Sequence, residues 1–165
     1  MRKILLVFLI MQVSITYVFA QNCSDDIFEI EVYNSSKDNF KIVYWDKNID
    51  KFKSPPKFAS TVPLDRLVKF RFSAQKRDSI EKQLFAAEKL DTLKRGIVIV
   101  GIHIPSGEIV STSFSLRNDV DLKKIKELKI ELEKNLRFEV MLGAELEQEG
   151  YLVQSFPIFV SRRKR

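Results

Sequence analysis

A chain of 165 residues has room for one ordinary domain with at most a small extension. Its 45% hydrophobic and 30% charged residues exclude a disordered polymer. The formal net charge of +6 sits at the two ends, in Arg2 and Lys3 and in Arg162, Arg163, Lys164 and Arg165, so no basic cluster interleaved with aromatics is present for nucleic acid.

The first twenty residues have the order of a secretory signal. Arg2 and Lys3 precede an apolar run over residues 4–10, diluted as far as Phe19, and Val18-Phe19-Ala20 sets compact residues before a junction with Gln21. Residues 4–19 contain Gln12, Ser14 and Thr16, and fall short of the ~20 apolar residues of a spanning helix. Cleavage before Gln21 is therefore expected, with export to a periplasmic or extracellular space. Loss of Arg2 and Lys3 leaves 26 basic against 22 acidic residues, a charge of +4, all of it in Arg162, Arg163, Lys164 and Arg165.

Cys23 is the single cysteine, so no disulfide forms within the chain. Acylation of Cys23 as a lipoprotein anchor is one reading. Asn22 before it is a poor fit to the small residue such processing requires, which favours a free or intermolecularly paired thiol. Asn22-Cys-Ser and Asn34-Ser-Ser match the glycosylation acceptor pattern, which bears only on a eukaryotic source.

Residues 27–32 alternate Ile27, Glu29 and Glu31 against Phe28, Ile30 and Val32, the pattern of a strand with one buried face. A turn-rich stretch over 34–39 leads to a second strand over 40–45, so the pair predicts a hairpin. Lys53-Ser-Pro-Pro-Lys57 interrupts any ladder and is expected as a joint. A strand follows over 67–72. A helix then runs from a cap at Asp78 or Ser79, buries Ile80, Leu84, Ala87 and Leu90 with Phe85 beside them, and stops at Lys94-Arg95-Gly96.

Residues 97–104 form a β-branched strand, apolar on both faces, closed by the turn Pro105-Ser-Gly-Glu108. In the returning strand, 109–116, Val110, Thr112, Phe114 and Leu116 share one face, and Ser111, Ser113 and Ser115 share the other. One polar face suits an antiparallel sheet covered by helices on one side only. Asn118 or Asp119 is expected to cap a helix that reaches about Leu136 and buries Leu122, Ile125, Leu128, Leu132 and Leu136. The apolar run continues through Phe138 and Val140, residues 141–150 read as an acidic loop, and 151–160 form a last strand in which Pro157 suits an edge or a bulge.

These elements predict an α+β fold: an antiparallel sheet with two helices packed on one face, in the order helix-strand-strand-helix-strand, preceded by an N-terminal β-hairpin. The organisation is a signal over 1–20, the hairpin and Pro-Pro joint over 21–57, the α+β domain over 58–161 and the basic tail over 162–165.

The order resembles the C-terminal domain of TonB over residues 79–160. The resemblance lies in Lys94-Arg-Gly-Ile-Val-Ile-Val100 entering a strand, the Gly107-centred turn, the segment 132–140 with Arg137-Phe138, which resembles the end of the family's second helix, and Phe156-Pro-Ile-Phe159 in the closing strand. It implies a small α/β sandwich that works by contact, docking partner proteins through strand pairing. The Tyr-Pro element before the family's first helix is missing here, as are the proline-rich spacer and retained anchor of an energy transducer. The resemblance thus extends to the fold and not to transduction.

Catalytic and metal-binding sets are thin. His103 is the only histidine and reads as a structural residue within a strand. One His and one Cys are too few for zinc. Residues 46–50, Asp-Lys-Asn-Ile-Asp, lack the glycine of a calcium loop. No phosphate-cradling glycine motif is present, and no cofactor is expected. Glu145, Glu147 and Glu149 alternate in the acidic loop as solvated residues do, although a secreted hydrolase needs only two carboxylates.

The function expected is therefore an exported, non-catalytic interaction or assembly module of the cell envelope. Its partner is another envelope protein, not nucleic acid, with membrane contact at most peripheral. The expected partner edge comprises Tyr151, Val153, Ser155 and Phe159 of the last strand. One alternative is an anionic-surface binder using Arg162, Arg163, Lys164 and Arg165. Another is a secreted hydrolase using Glu145, Glu147 or a serine.

Overall fold

The computed structural model describes residues 19–34, 40–86, 93–117 and 119–159, without the side chains of 19–23, 34 and 40. The expected signal up to residue 18, Ala87 and Leu90 of the first expected helix face, and the tail Arg162, Arg163, Lys164 and Arg165 lie outside them. No helix among the described residues is long and apolar enough to cross a membrane.

Ten strands and three helices follow one another in the described chain. Strands β1 (Phe19–Ser24), β2 (Phe28–Asn34) and β3 (Phe40–Asp46) come first. Strand β4 (Lys57–Phe58), the single-turn α1 (Leu64–Leu67), β5 (Val68–Phe72) and α2 (Ala74–Leu84) come next. Then follow β6 (Gly96–Ile104), β7 (Ile109–Leu116), α3 (Leu122–Asn135), β8 (Phe138–Leu142), β9 (Leu146–Gln148) and β10 (Gly150–Ile158). The α+β architecture read from the sequence is the one observed, with β8 and β9 inserted between the second long helix and the last strand.

Six strands form one antiparallel sheet in the order β1-β2-β3-β7-β6-β10. The expected hairpin is β2–β3, with Phe28 opposite Asp46 and Val32 opposite Ile42. It is not set apart: Ile42 pairs with Leu116 and Tyr44 with Phe114, so the hairpin continues the sheet of the helical part. Strand β1 adds a further edge and crosses the expected cleavage junction between Ala20 and Gln21; Cys23 lies in it opposite Ile30.

Alternation in β6 shows which face is inner. Val98, Val100, Ile102 and Ile104 are fully buried, whereas Ile97 is 47% exposed. The inner face continues through Phe114 and Leu116 of β7, Tyr44 and Ile42 of β3, and Phe28 of β2. Against it α3 presents Ile125, Leu128 and Leu132, and Leu136 seals the helix end. Each such side chain withdrawn from water contributes about 1.5–3 kcal/mol before entropy is counted. The small antiparallel pair β5–β8 covers the end of this core by packing Phe72 and Phe138 against Phe156 of β10, the three rings lying 4.9 to 6.2 Å apart.

Both helices begin away from their expected caps. Helix α2 starts after Ser73, whose hydroxyl accepts from the Lys76 N–H at 3.2 Å, not at Asp78 or Ser79. Its first turn is polar, and its buried side is shared by Arg77 and Glu81, so apolar spacing starts late. Helix α3 starts after Asp121, whose carboxylate accepts from the Lys123 N–H, not at Asn118 or Asp119. The expected acidic loop over 141–150 carries the end of β8 and all of β9, which pairs with β4. Gly107 turns the β6–β7 hairpin with φ +73°, and a Cβ there would lie 1.8 Å from the Phe138 carbonyl oxygen.

Candidate functional site

Strand β10 is an edge strand, with only β6 beside it in the sheet. Tyr151, Val153, Ser155 and Pro157 alternate with the residues that bond β6, so their backbone groups point outward. The ends of this outward row are occupied. The Tyr151 N–H donates to the Ser54 carbonyl at 2.9 Å. The Arg77 guanidinium donates to the Pro157 carbonyl at 3.0 Å, and Pro157 has no N–H. Between them, Val153 and Ser155 have no backbone partner on the outer side among the described residues. The edge therefore presents a window two pairing positions long.

The Pro-Pro joint builds one end of this window. Its backbone lies so close to β10 that a Cβ at Gly150 would come within 2.4 Å of the Pro56 nitrogen and 2.5 Å of the Pro55 carbonyl carbon. Pro56 is buried. The segment expected as a linker is thus packed as a cap on the sheet edge. At the other end the chain turns sharply at Phe159, which has φ 53°, a conformation that costs most residues free energy. It is held by the Glu81 carboxylate, which accepts the Phe159 N–H at 3.0 Å, and by the Phe85 ring at 5.0 Å. Phe159 is 2% exposed. Of the expected edge residues, Tyr151, Val153 and Ser155 stand on the edge and Phe159 does not; it belongs to the core.

The outer face of the sheet carries no α-helix among the described residues and has a cleft towards each end. The first, about 680 Å³, is lined by Trp45, Phe52, Tyr151 and Val153, with Glu29 and Asp50 among its polar residues. Phe52 and Tyr151 form a tilted ring pair with centroids 5.0 Å apart. Val153 is 58% exposed. Glu31 steadies the neighbouring strand: the Tyr33 hydroxyl, 2.5 Å away, and then the Trp45 indole hold its carboxyl below the usual range.

The second cleft, about 630 Å³, lies at the opposite end of the same face. Lys41, Arg95 and Arg117 line it with Ile97, Ser155 and Pro157, and among the described residues no acidic one does. The three cations come from β3, the approach to β6 and the exit of β7, which the sheet order sets side by side. Lys41 stands over the Tyr33 ring at 5.5 Å. None of the three is in a salt bridge among the described residues, although Lys41 is close enough to Glu31 to help lower the pKa of that carboxyl.

Other titratable groups have structural tasks. Asp46 is fully buried and accepts from the Thr112 N–H, the Asn48 N–H and the Lys129 ammonium at 2.6–2.9 Å, while its own N–H donates to Ser113. Ser113 and Ser111 were expected on a solvated face and are instead buried. Ser113 receives the β3 end, and the Ser111 hydroxyl fills the place a Gly101 Cβ would take. His103 contacts Ser106 at 2.9 Å and Glu149 at 3.4 Å and lies beside the Tyr151 ring. Glu145, Glu147 and Glu149 are all exposed. Among the described residues no three His, Cys, Asp or Glu side chains are grouped to hold a metal.

The clefts escaped the sequence reading because their residues lie on five strands and the loops beside them. Each strand alternates correctly, but only the order β2-β3-β7-β6-β10 brings them together. Among solved structures, the fold is similar to the crystal structure of a DUF5043 family protein from Bacteroides uniformis, with a TM-score of 0.56 and 14% identity over 86% of each chain. That likeness concerns the fold. No family model and no curated protein matches the sequence.

Proposed function

We propose that the chain is an exported, non-catalytic interaction module of the cell envelope that holds a partner protein by pairing an extended segment of it against β10. The observation that carries this reading is the window at Val153 and Ser155. An edge with free amide and carbonyl groups is a template for another strand, and folds commonly blunt such edges with charge, proline or a covering loop. Here the blunting is confined to the ends, at Ser54 and Pro157, and the middle has an exposed valine and no charged side chain. Main-chain pairing supplies affinity, while side-chain clefts beside the edge supply specificity. The cleavable-signal pattern of residues 1–20 supports the compartment.

Ser155→Pro tests the reading cleanly. The Ser155 N–H points away from β6, so proline there removes an edge donor without removing a sheet hydrogen bond. The variant is expected to keep the wild-type circular dichroism and melting curve while losing partners captured by the wild type from the native envelope fraction. Retention of all those partners by a folded Ser155→Pro protein would show that the β10 edge is not the working surface.

A further inference from the structure

The two clefts lie on one face, at either side of the free window, and differ in chemistry. This bears on what the paired segment must look like, and it rests on the edge reading above. We propose that the segment received by β10 is acidic at the positions facing Ser155 and Pro157 and apolar at the position facing Val153.

Alternate residues of an added strand point to the same face and stand about 7 Å apart, with the strand ~4.8 Å from β10. Side chains directed to the outer face therefore fall beside Val153, Ser155 and Pro157 in turn. Ser155 and Pro157 line the cleft that holds Lys41, Arg95 and Arg117. Lys41 is attracted to Glu31 on the neighbouring strand, but Arg95 and Arg117 have no carboxylate partner among the described residues, so they leave a charge that carboxylates would balance, and long side chains on both sides close the distance. Val153, 58% exposed, lies in the other cleft beside Tyr151 and Phe52, where an apolar side chain is withdrawn from water. Every pairing in the six-stranded sheet is antiparallel, and antiparallel addition is the more stable mode. In that direction the partner reads, from its N-terminus, acidic, any, acidic, any, apolar. The edge alone would accept many extended segments; opposite charge in one cleft and ring surface in the other select among them.

The test uses the protein cleaved before Gln21 and blocked heptapeptides with leucine at position 6 and threonine at the odd positions. Positions 2 and 4 are glutamate, glutamine or lysine. Binding is followed by amide chemical-shift changes of Val153 and Ser155 at low salt. The glutamate peptide is expected to bind at least about tenfold more tightly than the glutamine peptide, and the lysine peptide not at all. Ser155→Pro should abolish binding. Arg95→Glu with Arg117→Glu should invert the preference to the lysine peptide. Equal binding of the glutamate and glutamine peptides, still abolished by Ser155→Pro, would overturn the acidic specificity and leave the edge reading standing. Binding indifferent to Ser155→Pro, or no binding of any peptide, would sink both. Heparin or anionic vesicles that bind through Arg95 and Arg117 while the glutamate peptide does not would assign the cleft to a non-peptide polyanion and overturn the proposal.

Discussion

Two carboxylates at key joints of the fold titrate in opposite senses. Asp25, between β1 and β2, is partly buried, which alone would raise its pKa. The Lys126 ammonium at 2.5 Å and the Ile27 and Phe28 N–H groups outweigh burial and hold its carboxyl far below the ordinary 3.8. Its stabilising effect is therefore complete above about pH 4 and is lost as the pH falls through the folded value. Glu81 is pushed upward, first by burial, against the Phe159 N–H and Arg77. Its neutral form suits the fold, so its contribution is present below the ordinary 4.5 and is lost as the pH rises through the folded value. Urea titrations from pH 7 down to about pH 1.5 should then show Asp25→Asn flattening the acid limb below pH 4, and Glu81→Gln flattening a decline that starts near pH 4.5. Glutamine keeps an oxygen for the Phe159 N–H, which isolates the charge. Unchanged slopes in either variant would remove the corresponding assignment. Single residues of this kind were hard to read in the sequence. Asp46 stood in a lysine-diluted acidic stretch, and its only forewarning was Lys129, a lysine one position after Leu128 on the apolar side of its helix. Val153 and Ser155 were readable as edge residues because Pro157 two positions on marks a strand that cannot be central. Phe159 was not, because the positive φ that turns it inward is enforced by Glu81, 78 residues away in sequence.

Among the elements, strands with strict alternation were legible and helix starts were not. The β2–β3 and β6–β7 hairpins lie within a residue or two of where alternation and turn residues put them. The cap of helix α2 lies five residues before the first expected one, because a buried Arg77–Glu81 pair occupies the stripe where apolar residues would have signalled the turn. The two caps make different predictions for stability. Ser73→Ala should cost about 1 kcal/mol, the usual loss when a capping hydroxyl is removed. Ser79 is exposed within the helix, so Ser79→Ala should be neutral or slightly stabilising, since alanine is the better helix former. Equal and large losses in chemical denaturation would restore the later cap. The short β4–β9 pair had no comparable signal: β4 is two residues long, its register with β9 is irregular, and its partner lies about 90 residues on.

At the scale of the molecule, the question is whether the N-terminal hairpin is an appendage or part of one cooperative unit. The sequence placed a boundary at the Pro-Pro segment because prolines break ladders locally. It could not show that β3 pairs with β7, a contact between positions some 70 residues apart that leaves no local pattern. Phe28 of β2 is fully buried against Tyr44 at 5.8 Å and Phe114 at 6.1 Å, both edge-on, so the hairpin and β7 share one aromatic cluster. Lys126 of α3 reaches back to Asp25 and Asp26 from the same side. Phe28→Ala should cost about 3–5 kcal/mol, a large part of the 5–15 kcal/mol that stabilises a typical domain. The single tryptophan, Trp45, lies in β3 and reports on the hairpin by fluorescence, while far-ultraviolet circular dichroism reports on the helices. In one cooperative unit the two urea curves coincide in the wild type and move together to lower urea in Phe28→Ala. A fluorescence transition that moved alone, with the helical signal unchanged, would make the hairpin a separate unit. That result would also detach Trp45 and Lys41 from the clefts beside β10, since both depend on β3 staying paired to β7.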